Sequence, residues 1–523
     1  MDYLLHHLLR ASARRFPDKE ALVHGEIRLT YDQVADKVGG IAQGLQAIGH
    51  QRGERVGVYL DPSVAQVLAI FGVSQAGGVF VPINHLLMPE QVAHIARDCG
   101  MTGIITSSTK LGTLQTILGQ IPSMKFIVVD GDGVPNVSIR TVRFSEFTVG
   151  FVPRKWTDCN IEKDLVGILY TSGSTGKPKG VMLTHAQIIA GASIVSDYLE
   201  ITDKDRILAV LPFSFDAGLN QLTTSFQQGG TLVLINFVFA REIVQMLGKE
   251  RVTGLAGVPT LWTLLSQPNS GLEKASLPHL RYITNTGGAM PQPVLAILRK
   301  VLPATNIVLM YGLTEAFRST YLPPQELDRR PTSMGKAIPN TEILVVDEHG
   351  KLCKPGEVGE LVHRGPTVSM GYWGQPELTA KALRPHPTLP LELGGEEKVC
   401  YSGDLVKMDE DGFLYFVGRR DTMIKSSGFR ISPTEVEEAL FSFGKLRGVA
   451  VIGVPDPVLG QSIKAFAVVK EGIEVEPEAL VAHCSERLPR FMVPKCVELV
   501  PELPKTTSGK VDYPALRRRE GLA

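Results

Sequence analysis

The sequence predicts an α/β protein of doubly wound parallel sheets, with a β-rich subdomain and then a compact α+β unit towards its C-terminus. Three observations carry this. Short apolar runs alternate with stretches of helical spacing from about residue 55 to about residue 310, the rhythm of β-α-β units in a parallel sheet. After about residue 335 the texture changes to strands broken by turns such as Asp347-Glu348-His349-Gly350 and Asp409-Glu410-Asp411-Gly412. The chain has 523 residues, more than one ordinary core, so at least two domains are expected.

In order, Leu4, Leu5, Leu8 and Leu9 fall at helical spacing, residues 21–31 bracket Gly25 as a short hairpin, and residues 33–48 resume helical spacing. Strands follow at 55–60 and 78–83, with helices at 63–76 and 90–98, then strands at 102–106 and 126–129. The run 165–169 reads as a buried strand, and Thr184 as the N-cap of a helix starting near His185. The rhythm repeats with strands at 206–210, 231–234, 254–258, 282–284 and 306–309. The β-rich part contributes 343–346, 359–363 and 413–416. From Asp421 onward come a helix from Pro433 to Leu440, strands at 450–454 and 463–469, and a helix at 477–488.

Hydrophobic residues make up 44% and charged residues 21%, a globular composition. Lys+Arg and Asp+Glu are both 54, and that balance argues against a dedicated nucleic-acid surface. Six dispersed cysteines with no C-x-x-C pair suggest reduced thiols and a cytoplasmic location. No apolar run reaches the about 20 residues that span a bilayer, so no transmembrane segment is expected.

The stretch Thr171-Ser172-Gly173-Ser174-Thr175-Gly176-Lys177-Pro178-Lys179-Gly180 lies between ordered elements. Glycines let backbone amides face one concavity, hydroxyls add donors and lysines add charge, which suits a polyphosphate. It is not a Walker A loop: Gly173 stands three residues before Gly176, and Pro178 follows Lys177 where Ser or Thr belongs. The composition alone also suits a solvated loop.

The full string resembles the phosphate-binding signature of the adenylate-forming (AMP-binding) enzymes, a superfamily that includes acyl-CoA synthetases, adenylation domains of peptide synthetases and luciferases. Further strings follow in family order as far as Lys510. Alone, Met310-Tyr311-Gly312-Leu313-Thr314-Glu315 reads as a helix start after a strand. It resembles the family's next motif, which implies that Thr314 contacts the α-phosphate and Glu315 holds Mg²⁺. Asn285-Thr286-Gly287-Gly288-Ala289 reads as a turn, and by resemblance lines the adenine. Asp404, in Tyr401-Ser402-Gly403-Asp404, reads alone as a turn residue, and by resemblance accepts both ribose hydroxyls. Gly418-Arg419-Arg420-Asp421 resembles the family hinge, with Arg419 near ribose or phosphate and Asp421 as the pivot. Gly428 stands in a loop that resembles the one meeting the pantetheine arm. Pro504-Lys505-Thr506-Thr507-Ser508-Gly509-Lys510 resembles the terminal motif, whose last lysine bridges the carboxylate and the α-phosphate.

The resemblance implies a large N-terminal domain, residues 1–420 with its β-rich part at about 335–420, and a small mobile C-terminal domain, residues 421–523, carrying the catalytic lysine. It implies an ATP- and Mg²⁺-dependent ligase. A carboxylic acid becomes an acyl-adenylate with release of pyrophosphate, and the acyl group then passes to the thiol of coenzyme A or of a carrier-protein phosphopantetheine. A stand-alone amino-acid adenylation enzyme loading an acyl or peptidyl carrier protein is the main alternative. A luciferase-like oxidative enzyme and a non-catalytic nucleotide binder are weaker ones.

Phe215, Asp216, Met310 and Arg318 are assigned to the substrate pocket. Phe215-Asp216 resembles the F-D of amino-acid-activating domains, where the Asp pairs with the substrate's ammonium. A carboxylate aimed into an acyl pocket needs a cationic partner. Arg318, three residues after Glu315, is placed to hold a second acidic group of the substrate or to pair with Asp216.

Overall fold

The computed structural model describes residues 2–132, 138–148, 157–171, 178–390, 397–420, 422–426, 429–456, 459–506 and 509–522. Among these residues the strands form four sheets.

A seven-stranded sheet runs in the order Arg140–Arg143, Phe126–Asp130, Gly103–Ser107, Arg55–Tyr59, Val79–Pro82, Leu165–Thr171 and Lys179–Thr184. Every pair is parallel except the last, an antiparallel hairpin around the glycine-rich loop. A nine-stranded sheet places Asn306–Leu313 beside Tyr282–Asn285, Gly254–Gly257, Arg206–Ala209 and Thr231–Leu234, all parallel. The predicted N-terminal hairpin forms, and its strand Glu20–His24 adds in parallel to Thr231–Leu234. That pairing spans some two hundred residues, which no local pattern encodes.

One continuous core lies between these two sheets. It includes Val56 and Val58 of one sheet, Leu22, Ile207 and Leu232 of the other, and Leu8, Val34, Phe71, Leu222 and Phe226 from the intervening helices. The helix Val64–Gln75 is buried along nearly its whole length, so its apolar residues surround it instead of forming one stripe. Phe71 stacks on Phe226 with ring centroids 5.1 Å apart. Burying such a ring fully contributes about 1.5–3 kcal/mol. Separate clusters cover the outer faces: helices Ala240–Lys249 and Gln292–Val301 on the larger sheet, and Pro89–Asp98 and Ser108–Leu118 on the smaller. Helices on both faces make the arrangement doubly wound, as predicted.

The β-rich part is an antiparallel sheet of Glu342–Val346, Val358–Arg364, Leu383–Pro385, Lys398–Met408 and Leu414–Arg419. The C-terminal unit packs Pro433–Phe441 and Pro477–Arg487 on a sheet led by Leu446–Asp456 and Gly460–Val469. No helix among the described residues is long and apolar enough to cross a membrane.

Two local readings change. Thr314-Glu315 does not start a helix. The chain folds back at once into the strand Ala316–Leu322, with Leu313 opposite Ala316. Asp404 is not in a turn but inside the strand Lys398–Met408, where Gly403 takes a left-handed φ of +72°. That kink supplies the local turn signal without ending the strand.

Candidate active site

The site is built where strands of the nine-stranded sheet end, against the β-rich sheet and the C-terminal unit. The glycine-rich hairpin contributes Thr171 and Lys179, which face each other across the ladder. Ser172, Gly173, Ser174, Thr175 and Gly176 lie outside the described residues, as do the hinge residue Asp421 and the loop residue Gly428. Thr184 caps the following helix with a reciprocal Gln187 bond, which fixes the direction in which the hairpin leaves the site.

Beyond Tyr282–Asn285, the Asn285 amide donates to the Gly288 carbonyl at 2.9 Å and closes a tight turn. Gly287 has φ +79°, and a Cβ there would stand 2.9 Å from Lys510 Cε. The lysine stem therefore lies directly against the Gly287 backbone, while Gly288 and Ala289 stay exposed.

The next strand brings Tyr311, whose hydroxyl donates to Asp404 Oδ2 at 2.5 Å. Asp404 is buried and lies opposite Arg419 across the β-rich ladder, with Arg419 Nε 3.6 Å from Oδ1. Burial first, and then the Asp404 charge, push the Tyr311 phenol well above its ordinary range, so it stays a donor. Gly312 is required by packing, because a Cβ there would come within 2.8 Å of the Arg318 backbone. Thr314 is buried, and Glu315 Oε1 accepts from the Tyr372 hydroxyl at 2.6 Å.

Lys510 reaches this place on a braced turn. Lys505 and Val511 bridge, the Thr506 amide donates to the Lys510 carbonyl at 2.7 Å, and Asp512 caps the following helix. Its ammonium lies 5.3 Å from the centre of the Phe215 ring. Burial holds it below the usual lysine range. The carboxylates of Asp216, Asp404 and Glu315 act in the opposite sense, with Asp216 foremost, while Arg419 adds to the lowering.

Asp216 is the first residue of the helix Asp216–Gln228 and is 5% exposed. A carboxylate there meets the positive end of the helix dipole. Arg318 is 3% exposed at a left-handed φ of +55°. One guanidinium nitrogen donates to Thr286 Oγ1 at 2.8 Å, and Nε has no hydrogen-bond partner. Among the described residues Arg318 makes no ion pair, so the predicted alternative of an Asp216–Arg318 pair is not realised. Met310 points into the core, where its sulfur accepts from Tyr198 at 3.5 Å. Between Asp216 and Phe317 a cavity of about 20 Å³, lined also by Leu219, Asn220 and Thr223, has room for about one water molecule.

Thus Lys510, Asp216, Asp404, Glu315, Arg419 and Tyr311 meet in one place, although they come from segments up to about three hundred residues apart. The sequence reading missed Tyr372. The aromatic pair Tyr372-Trp373 beside Gly371 was its only signal.

This geometry is matched by known proteins. Residues 9–373 match the AMP-binding enzyme family, and residues 435–510 match the AMP-binding enzyme C-terminal domain. The chain belongs to the AMP-binding enzyme family. It is 32% identical to a long-chain-fatty-acid–CoA ligase of Bacillus subtilis, over 98% of this chain and 93% of that one. It is also 32% identical to a feruloyl-CoA synthase of an Amycolatopsis species, over 97% of each chain. Among solved structures, the anthranilate CoA ligase AuaEII in complex with anthranoyl-AMP superposes with a TM-score of 0.90 at 26% identity, covering 99% of this chain and 97% of that one. The chain is an ATP-dependent, AMP-forming acid–thiol ligase, and its cofactors are ATP and Mg²⁺. Its residues fit both. Asp404 is a buried acceptor between Tyr311 and Arg419. Glu315 offers a hard oxygen donor, with one oxygen already held by Tyr372.

Proposed function

We propose that this ligase activates a polar acid bearing an amino group and passes the acyl group to the thiol of coenzyme A or of a carrier-protein phosphopantetheine. The observation that carries the acid is the buried carboxylate of Asp216 on the cavity wall; Arg318, which follows Phe317 of that wall, is buried too and makes no ion pair among the described residues. Buried charges persist when something pairs them. Among the carboxylates that act on Lys510, Asp216 is foremost. A substrate ammonium beside Asp216 pairs that carboxylate during adenylation and leaves the Lys510 ammonium for the α-phosphate.

In this reading the glycine-rich loop from Ser172 to Gly176, flanked by Thr171 and Lys179, holds the triphosphate. Gly287, Gly288 and Ala289 would line the adenine, and Tyr311 and Gly312 belong to the same nucleotide site. Asp404 takes the ribose hydroxyls, oriented by Tyr311 and Arg419. Thr314 donates to the α-phosphate. Mg²⁺, when bound, neutralises phosphate charge, and Glu315 would hold it. The substrate carboxylate attacks the α-phosphorus, pyrophosphate leaves, and the Lys510 ammonium stabilises the charge that develops there. The mixed anhydride gives the acyl carbon a good leaving group, AMP, for attack by the thiol. The C-terminal unit turns about Asp421 to exchange Lys510 for the Gly428 loop.

The test is ATP–pyrophosphate exchange with matched pairs, an amino acid against its des-amino analogue, in wild type and Asp216→Ala. Wild type should prefer the amino acid, and the variant should lose that preference. A wild-type preference for the des-amino acid, or no change on substitution, rules the amine-binding role out.

A further inference from the structure

The segment 367–373 lies between the two phosphate-binding motifs and bonds to both. On one side it pairs with the turn that carries Glu315: the Phe317 amide donates to the Thr367 carbonyl at 3.2 Å, the Ser369 amide donates to the Glu315 carbonyl at 2.8 Å, and Ala316 bridges Val368. On the other side it pairs with the strand leaving the glycine-rich loop. There the Met182 amide donates to the Gly371 carbonyl at 2.9 Å, the Trp373 amide donates to the Gly180 carbonyl at 2.8 Å, and Val181 bridges Tyr372. Seven residues thus tie the carboxylate turn to the loop's exit strand by main-chain bonds.

One side chain repeats that connection at the site itself. The Tyr372 hydroxyl donates to Glu315 Oε1 at 2.6 Å, and the Tyr372 ring lies 5.9 Å below the Lys179 ammonium. A phenol carries its proton at neutral pH, so the hydroxyl is the donor and the carboxylate the acceptor. A carboxylate with one oxygen fixed by a donor presents its other oxygen in one orientation. Metal-ligating carboxylates are ordinarily held this way.

We infer that Tyr372 is a positioning residue for adenylation: it orients the Glu315 carboxylate for the metal–nucleotide complex and registers it against Lys179 of the glycine-rich loop. This rests on the assignment of Glu315 as the metal-holding carboxylate, which Glu315→Gln tests by itself.

The experiment compares wild type, Tyr372→Phe, Glu315→Gln and the double variant. Phe keeps the ring beneath Lys179 and removes only the hydroxyl. Three readouts are taken: free Mn²⁺ by electron paramagnetic resonance in the presence of ATP, the Mg²⁺ dependence of pyrophosphate exchange, and thioester formation from pre-made acyl-adenylate. Tyr372→Phe should weaken Mn²⁺ binding with ATP and raise the half-saturating Mg²⁺ by about 10-fold, the usual cost of losing a partner of a metal ligand. Thioester formation should be unchanged, and the double variant should bind Mn²⁺ no worse than Glu315→Gln alone. Unaltered Mn²⁺ binding and Mg²⁺ dependence in Tyr372→Phe, with Glu315→Gln impaired, overturn the inference and leave the assignment of Glu315 standing. Unaltered metal dependence in Glu315→Gln overturns both. Equal loss of the two half-reactions in Tyr372→Phe, or a lowered melting temperature with metal binding intact, shows a merely structural role and also overturns it.

Discussion

Arg318→Met separates a residue kept for substrate from one kept for the fold. Arg318 is buried, gives one hydrogen bond to Thr286, and its Nε meets no protein acceptor among the described residues. A hydrogen bond involving a charged group contributes about 1.5–3 kcal/mol, and an unsatisfied buried donor costs about 1–3 kcal/mol. The two nearly offset. The left-handed φ of +55° burdens Arg and Met alike and drops out of the comparison. Met fills a similar volume, so Arg318→Met should alter stability by no more than about 2 kcal/mol, a melting shift of a few degrees. Activity should respond far more. Breaking a buried charge pair by removing one partner costs about 3–5 kcal/mol, which is a fall of about 10²-fold or more in kcat/KM for an acid whose second acidic group it holds. The assays are a thermal melt and ATP–pyrophosphate exchange across a panel of amino, aryl and fatty acids. Unchanged kcat/KM for the best acid refutes the reasoning. So does a loss of activity that merely follows a collapse in melting temperature.

Four other outcomes are expected. Lys510→Ala should slow adenylation about 10²-fold while sparing thioester formation from pre-made acyl-adenylate, and intact adenylation contradicts the role given to the ammonium. Tyr311→Phe removes the donor to Asp404 Oδ2 and should raise the KM for ATP about 10-fold, whereas an unchanged KM shows that Asp404 does not depend on it. Burial pushes the Glu437 carboxyl up to about 7, from 4.5, against hydrogen bonds from Tyr513 and the Val451 amide. The folded state then holds that proton more tightly than the unfolded state, so this stabilisation is full below about pH 4.5 and is lost as pH rises through about 7. Glu437→Gln should flatten the fall in melting temperature between those values, and an identical slope in the variant sinks the assignment. Asp421→Pro, which fixes φ, should slow thioester formation far more than adenylation, and equal loss of both half-reactions counts against the hinge.

Much of the fold could be read from the sequence because its strands are short apolar runs and its helices carry local start signals, such as Thr184 with Gln187. The pairing of Glu20–His24 with Thr231–Leu234 could not, since sheet partners distant in sequence leave no periodicity. The residues proposed to bind the nucleotide were legible because glycines and charged residues stand at fixed spacings. Asp404 was placed in a turn because Gly403 looks like one, and only the ladder with Leu414–Arg419 shows a strand passing through the kink. Tyr372 was invisible because a tyrosine among apolar neighbours reads as core, and its value lies in a contact with Glu315, fifty-seven positions away. The Asp216–Arg318 alternative failed for a spatial reason. Spacing placed both near one pocket but could not say that Thr286 holds the guanidinium and that the Asp216 carboxylate acts on Lys510.

The most direct test of the account is the mass of the adenylate the enzyme makes. Wild type is incubated with ATP, Mg²⁺ and an equimolar mixture of amino acids and their des-amino analogues, without a thiol acceptor, and the acyl-adenylate retained by the protein is identified by mass spectrometry. One predominant adenylate whose acid carries an amino group is expected, with its replacement by a des-amino adenylate, or its loss, in Asp216→Ala. An adenylate formed chiefly from a des-amino acid by wild type contradicts it.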